Sequence, residues 1–123
     1  MMPGYVRIYT DDDGETHFSD EPIELQSMDY APPAPPMQVS APHDTRQFVF
    51  VGAQPGWVGD WHPSPVRQFV FILSGDFEVK VSDGETRTFS AGTVGLLEDT
   101  TGKGHHTRVT STEPALAAMC HLD

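Results

Sequence analysis

The sequence predicts an all-β protein, and three observations carry that reading. Eight short runs rich in aromatic and β-branched residues follow one another from Arg46 onward. Eleven glycines and eleven prolines in 123 residues supply the turns such a succession needs. No helical period of useful length appears between them. At this length one hydrophobic core is feasible and two independent cores are not, so residues 1–123 are read as a single domain.

Taken in order, Tyr5-Val-Arg-Ile-Tyr9 alternates as a half-buried strand does, and Asp11-Asp-Asp-Gly14 then turns the chain. A short strand at Thr16-His-Phe18 follows. From Glu21 to His43 the chain carries Ala31-Pro-Pro-Ala-Pro-Pro36, which lacks ladder donors and favours extended polyproline backbone. It is read as a rigid crossing segment over the barrel, with a recognition ligand for another protein as the lesser alternative. Residues 1–43 thus form N-terminal strands plus a crossing segment, and residues 44–123 the core.

The core runs are Arg46 to Val51, Trp57 to His62, Arg67 to Leu73, Phe77 to Val81, Glu85 to Phe89, Thr93 to Leu97, His105 to Thr110 and Ala115 to His121. Ser82-Asp-Gly84 between two of them marks a hairpin, because glycine takes positive φ without strain. The succession fits a sandwich or closed barrel.

Composition excludes several function classes. Eighteen acidic residues against seven basic ones give a net charge of −11, which repels a phosphate backbone, so nucleic acid is not an expected partner. No apolar run approaches a membrane span and Met1 to Thr10 lack a secretory pattern, so a soluble, cytoplasmic protein is expected. The only cysteine, Cys120, has no partner for a disulfide or zinc knuckle and is read as a packed thiol.

One constellation carries chemistry. Gly56, His62, Ser64, Gln68 and Gly75 stand at spacings that resemble the first motif of the cupin superfamily, whose ligand positions are histidine, histidine and glutamate. His62 matches the first histidine, while Ser64 and Gln68 replace the other two. The second motif is similar to the stretch from Gly92 to Gly102-Lys-Gly-His105, with His105 at the last ligand position. It departs from the pattern where Glu98 stands in place of proline and where the loop after it is about two residues longer. The resemblance covers Gly56 to His105 and implies a jelly-roll (double-stranded β-helix) barrel, and small single-domain bacterial cupins are the nearest likeness.

Residue parity adds a reading independent of the family. If Gln68 points inward, so do Val70 and Ile72, while Phe69 and Phe71 face outward, which suggests a homodimer or cover by the Pro-rich segment. By the same logic Val58, Asp60 and His62 share one face, and His105, Thr107 and Val109 another, so the two histidines converge on one cavity.

His62, Gln68 and His105 are therefore the candidate catalytic residues, and the candidate metal ligands if a metal is bound. The resemblance implies a divalent ion such as zinc, nickel, iron or manganese, with weak occupancy because Ser64 and Gln68 remove an imidazole and a carboxylate. His17, Asp60, Ser64 and Glu98 are candidate pocket residues, and Asp60 or Glu98 could rescue the site with a carboxylate. Without metal, the histidines move protons and Gln68 holds a carbonyl or enolate. The expected function is an isomerase, lyase or dioxygenase acting on a small polar metabolite such as a hydroxy acid, keto acid or sugar derivative; the alternative is a non-catalytic small-molecule binding or sensing barrel. Buried, hydrogen-bonded histidines with no chemistry are the bland alternative for this pair. His43, His106 and His121 are read as structural or exposed, and Gly102-Lys-Gly104 lacks the phosphate-loop pattern.

Overall fold

The computed structural model describes residues 3–123, and the described residues contain twelve strands and no helix. They are β1 (Gly4–Thr10), β2 (Thr16–Pro22), β3 (Gln26–Met28), β4 (Met37–Val39), β5 (Gln47–Ala53), β6 (Val58–His62), β7 (Gln68–Ser74), β8 (Phe77–Val81), β9 (Thr86–Phe89), β10 (Val94–Leu97), β11 (His105–Val109) and β12 (Ala115–His121). All eight core runs read from the sequence form strands. Among the described residues no helix is long and apolar enough to cross a membrane.

Two sheets face each other. The larger has strand order β2-β1-β10-β7-β12-β5, and the smaller β6-β11-β8-β9. Non-consecutive neighbours dominate both, which is the jelly-roll wiring, and β1 joins β10 in parallel while the other pairings of these sheets are antiparallel. The core between the sheets holds Ile8, Val70, Ile72, Val79, Val81 and Phe89, each at most 5% exposed. Burying each such side chain contributes about 1.5–3 kcal/mol before the ordering cost. Along β7 the buried residues are Gln68, Val70 and Ile72, as the parity argument requires, with Phe69 and Phe71 half-buried on the other face.

The Pro-rich run differs from its expected role. Met28 pairs with Met37, so Ala31 to Pro36 form the exposed tip of a two-stranded ribbon made by β3 and β4 rather than a strap across the barrel. The prolines stay outside the ladder, where their missing N–H groups cost nothing. The stretch after the ribbon does reach the outer face: the His43 ring meets Phe69 edge-on at 5.1 Å, and Tyr5 meets Phe69 from another side at 5.6 Å. Cys120 is half-buried on β12, as a packed thiol.

His17 stands at the junction of two turns. Its Nε2 lies 2.7 Å from Asp11 and its Nδ1 2.8 Å from Asp83, with the Tyr9 ring alongside at 5.4 Å. These two carboxylates raise the His17 pKa above its ordinary 6.5, and His17 in turn helps to hold both aspartates below 3.8. A raised imidazole pKa stabilises the fold fully below about 6.5, and that stabilisation is lost as pH climbs through the folded-state value. On the acid side it is lost as the aspartates protonate below 3.8. The stability difference between wild type and His17→Asn, measured by urea unfolding, is therefore expected to be largest near pH 5–6 and to shrink toward pH 8. A difference that grows with pH would contradict this pairing.

Candidate functional site

The space between the sheets opens as a cavity of about 420 Å³, a size typical of small-molecule sites. Its wall has two parts. Val70, Ile72, Phe77, Val79, Phe89 and Ala117 make an apolar body, and His62, Ser64, Gln68, His105, Thr107 and His121 supply the polar groups. Edge strand β5 contributes Val49 and Val51, and Trp57, itself exposed, also lines the cavity.

The ladder explains how the histidines meet. On β11, His105 is opposite His62 and Thr107 opposite Gly59. Two residues of β6, Asp60 and Trp61, thus stand against the single His106, which is a β-bulge. The bulge brings His62 back to the cavity side after Gly59, and the two imidazole rings lie 5.1 Å apart. It also corrects the shared-face expectation for β6: Val58 pairs with Arg108 and is 57% exposed, and Asp60 is exposed and outside the cavity wall. A one-residue insertion flips side-chain parity, and periodicity alone does not reveal it.

Each histidine is oriented through Nδ1. His62 Nδ1–H donates to the Asp60 carbonyl oxygen at 2.6 Å, and a carbonyl only accepts, so the Nε2 lone pair of neutral His62 is left free. His105 Nδ1–H donates to Asp99 Oδ2 at 2.6 Å, leaving Nε2 as the free nitrogen. Asp99 is completely buried, and its other oxygen accepts the Ser64 hydroxyl at 3.0 Å. The Ser64 N–H also donates to the Asp99 carbonyl at 2.9 Å. Ser64, at the place of a second histidine, is therefore spent on holding Asp99.

Gln68 is 4% exposed, and its Oε1 is a buried oxygen with no hydrogen-bond partner. Buried acceptors are rarely left alone, so this atom marks a place where a donor is due. Beside it, His121 is the β12 partner of Gln68 and lines the same cavity, which corrects its reading as structural or exposed.

Two other expected pocket residues lie elsewhere. Glu98 binds Arg7 and, at 3.4 Å, Arg67 on the outer face, so its carboxylate is directed away from the histidines. His17 is held by Asp11 and Asp83 and does not line the cavity.

The glycines around the site have steric duties. A Cβ on Gly59 would lie 2.4 Å from the Trp57 indole, and one on Gly104 would lie 2.1 Å from both the carbonyl carbon and oxygen of His62. Gly59→Ala is expected to push the indole off the cavity wall at a cost of about 1 kcal/mol, because a half-exposed ring can swing aside. The check is Trp57 emission in a Trp61→Phe background; an unshifted spectrum would show that the indole does not rest on Gly59.

The donors present decide whether a metal of the kind the motif implies would be held. The cavity wall offers three imidazoles, those of His62, His105 and His121, and the neutral Gln68 amide, with no carboxylate among them, and the buried Asp99 has both oxygens engaged by Ser64 and His105. Among the described residues no three His, Cys, Asp or Glu side chains are grouped to hold an ion. A divalent cation would enter an apolar cavity without an opposing charge in contact, so the donors do not fit a tightly held ion.

The comparisons agree with this architecture. The family model for the cupin domain matches residues 49–121. Among solved structures, a cupin 2 conserved barrel domain protein from Salinispora arenicola is 21% identical, covering 80% of this chain and 74% of that one with a TM-score of 0.51. A protein from Neisseria meningitidis is also 21% identical, over 62% of this chain and 72% of that one, with a TM-score of 0.48. No curated protein matches the chain. With the matched span taking in every strand from β6 to β12 and most of β5, the chain belongs to the cupin-domain family.

Proposed function

We propose that the barrel cavity is the active site of a small-molecule enzyme that works by proton transfer, with His105 as general base and His62 as its partner acid. The observation that carries this reading is the buried Asp99–His105 pair. Burying a carboxylate completely is costly, and here it is used to fix one imidazole with its free nitrogen beside a second imidazole. A base held in one tautomer by an acid is the arrangement general-base chemistry requires.

In the proposed step, His105 Nε2 takes a proton from a carbon next to a substrate carbonyl. His62, in its imidazolium form, gives its Nε2 proton to the carbonyl oxygen, and an enol results. Where that carbon also bears a hydroxyl the enol is an enediol; His105 then returns the carbon proton to the former carbonyl carbon while His62 takes the proton of the other hydroxyl, which completes an isomerisation with no net change in protons or electrons. Gln68 holds the substrate by hydrogen bonding. No step passes through a metal.

The test is hydrogen–deuterium exchange at the acidic carbon of a panel of enolisable ketones and keto acids in heavy water. Exchange is expected to exceed that of free imidazole at equal concentration, and to be unchanged by EDTA. Loss of exchange on chelation would overturn the metal-free mechanism. Ligands that bind without any exchange would reassign the barrel as a binding or sensing module.

A further inference from the structure

The outer edge of β5 has no strand beside it among the described residues. We infer that a second copy of this chain docks there, the two β5 strands pairing antiparallel about a twofold axis so that the larger sheets of both copies become one.

Edge strands that stay single are protected by charge, proline or a bulge, because their outward N–H and C=O groups otherwise template another strand. Gln47–Ala53 has none of these protections. Its seven residues are uncharged and free of proline, and its ladder with β12 runs unbroken from Gln47 to Ala53. Both faces are apolar and open. On the outer face Phe48 and Phe50 meet edge-on at 5.0 Å and are 54% and 66% exposed; on the cavity face Val49 and Val51 are exposed as well. Phe69, the outer-face residue that parity offered for a dimer, is already met by Tyr5 and His43.

Charge selects the occupant. The chain has eighteen acidic residues, yet positions 45–59 hold none, and Arg46 is the one basic residue there. Two copies of net charge −11 repel across most of their surfaces, and along this stretch they close without burying a carboxylate. A basic partner finds no acid in it to pair with.

Gly52 supplies the register. Its φ is not positive, and a Cβ there would meet nothing nearer than 3.7 Å, so neither the backbone nor packing within the chain calls for glycine. Glycine inside a strand costs about 0.5–1 kcal/mol and often marks a close approach from outside. Full overlap of Gln47–Ala53 with its twofold copy sets Phe50 opposite itself, Val49 opposite Val51 and Phe48 opposite Gly52. The bare glycine then makes room for the partner's Phe48. On the other face the partner's Val49 and the partner's Val51 continue the cavity wall beyond the strand that ends it here, so the second copy adds residues to the site.

Sedimentation equilibrium of the full chain is expected to give a dimer with a Kd in the micromolar range or below. Phe50→Lys is expected to give a folded monomer, because two ammonium groups would face each other across the axis while the side chain it replaces is mostly exposed. In a Cys120→Ser background, Phe50→Cys should cross-link the copies on mild oxidation, since directly opposite residues lie about 4.5–5.5 Å apart, within disulfide reach. Phe48→Cys, also exposed but opposite Gly52, should not. Gly52→Val should weaken the dimer roughly tenfold, without lowering the Tm of the Phe50→Lys monomer.

A wild-type monomer at about 100 μM, far above the expected Kd, overturns the inference. So does a dimer that persists in Phe50→Lys, cross-linking through Phe48→Cys in preference to Phe50→Cys, or a dimer that Gly52→Val does not weaken. None of these measurements reads turnover, so their failure leaves the proton-transfer reading standing, and absent exchange activity leaves the dimer standing.

Discussion

Gly104→Ala is expected to lose about 3–5 kcal/mol of stability, a large fraction of the total that a small domain has. Gly104 has φ +72°, where a residue with a Cβ pays about 1–2 kcal/mol. The new methyl would also meet backbone atoms of His62 at 2.1 Å, and backbone cannot swing aside as a side chain can. Its own backbone is held from another side, because its carbonyl accepts the Thr16 hydroxyl at 2.6 Å. What folded protein remains should show a displaced His62 and so a lost imidazole pair. Thermal unfolding combined with histidine NMR checks both parts. A variant of wild-type stability would show that the loop does not press on His62 as described.

Asp99 is the second position where a large effect is expected, and two substitutions separate its duties. Asp99→Ala leaves the Nδ1–H of His105 and the hydroxyl of Ser64 without buried partners, and a loss of about 3–5 kcal/mol follows from breaking such a set on one side. Asp99→Asn keeps the shape, with the amide oxygen accepting from His105 and the amide nitrogen donating to Ser64. Stability should fall far less. Proton-exchange activity, however, should fall by roughly 10²-fold, within the range general acid–base catalysis supplies. Full activity in the asparagine variant would reduce Asp99 to a structural residue.

Much of this fold is legible in the sequence, for local reasons. Ser82-Asp-Gly84 dictates a hairpin whichever strands flank it, and β8 pairs with β9 across it. The alternation of Gln68, Val70 and Ile72 fixes a face because each apolar side chain must leave water. The bulge in β6 escapes such reasoning: the extra residue is visible only when β11 is laid beside it. His121 escapes likewise, because its place in the cavity depends on pairing with Gln68, 53 positions away in the chain.

Asp99 is a different kind of omission. Leu97 and Asp99 have the same parity, and Leu97 pairs with Gln68 on the cavity side, so parity extended past the end of β10 points at Asp99. The neighbouring Glu98 draws attention as the residue standing in the family's proline position, yet its own parity turns it outward to Arg7 and Arg67. The site is thus the two family histidines plus a buried acid the motif does not contain, and that acid fixes the proton of His105 as the Asp60 carbonyl fixes that of His62.

That pattern is open to direct observation by long-range proton–nitrogen correlation of the histidine rings. The account predicts that neutral His105 carries its proton on Nδ1, with Nε2 bare and facing the cavity, and that Asp99→Ala removes this preference. A His105 ring protonated on Nε2 in the wild-type protein would contradict it, because the base proposed for the reaction would then have no lone pair to offer.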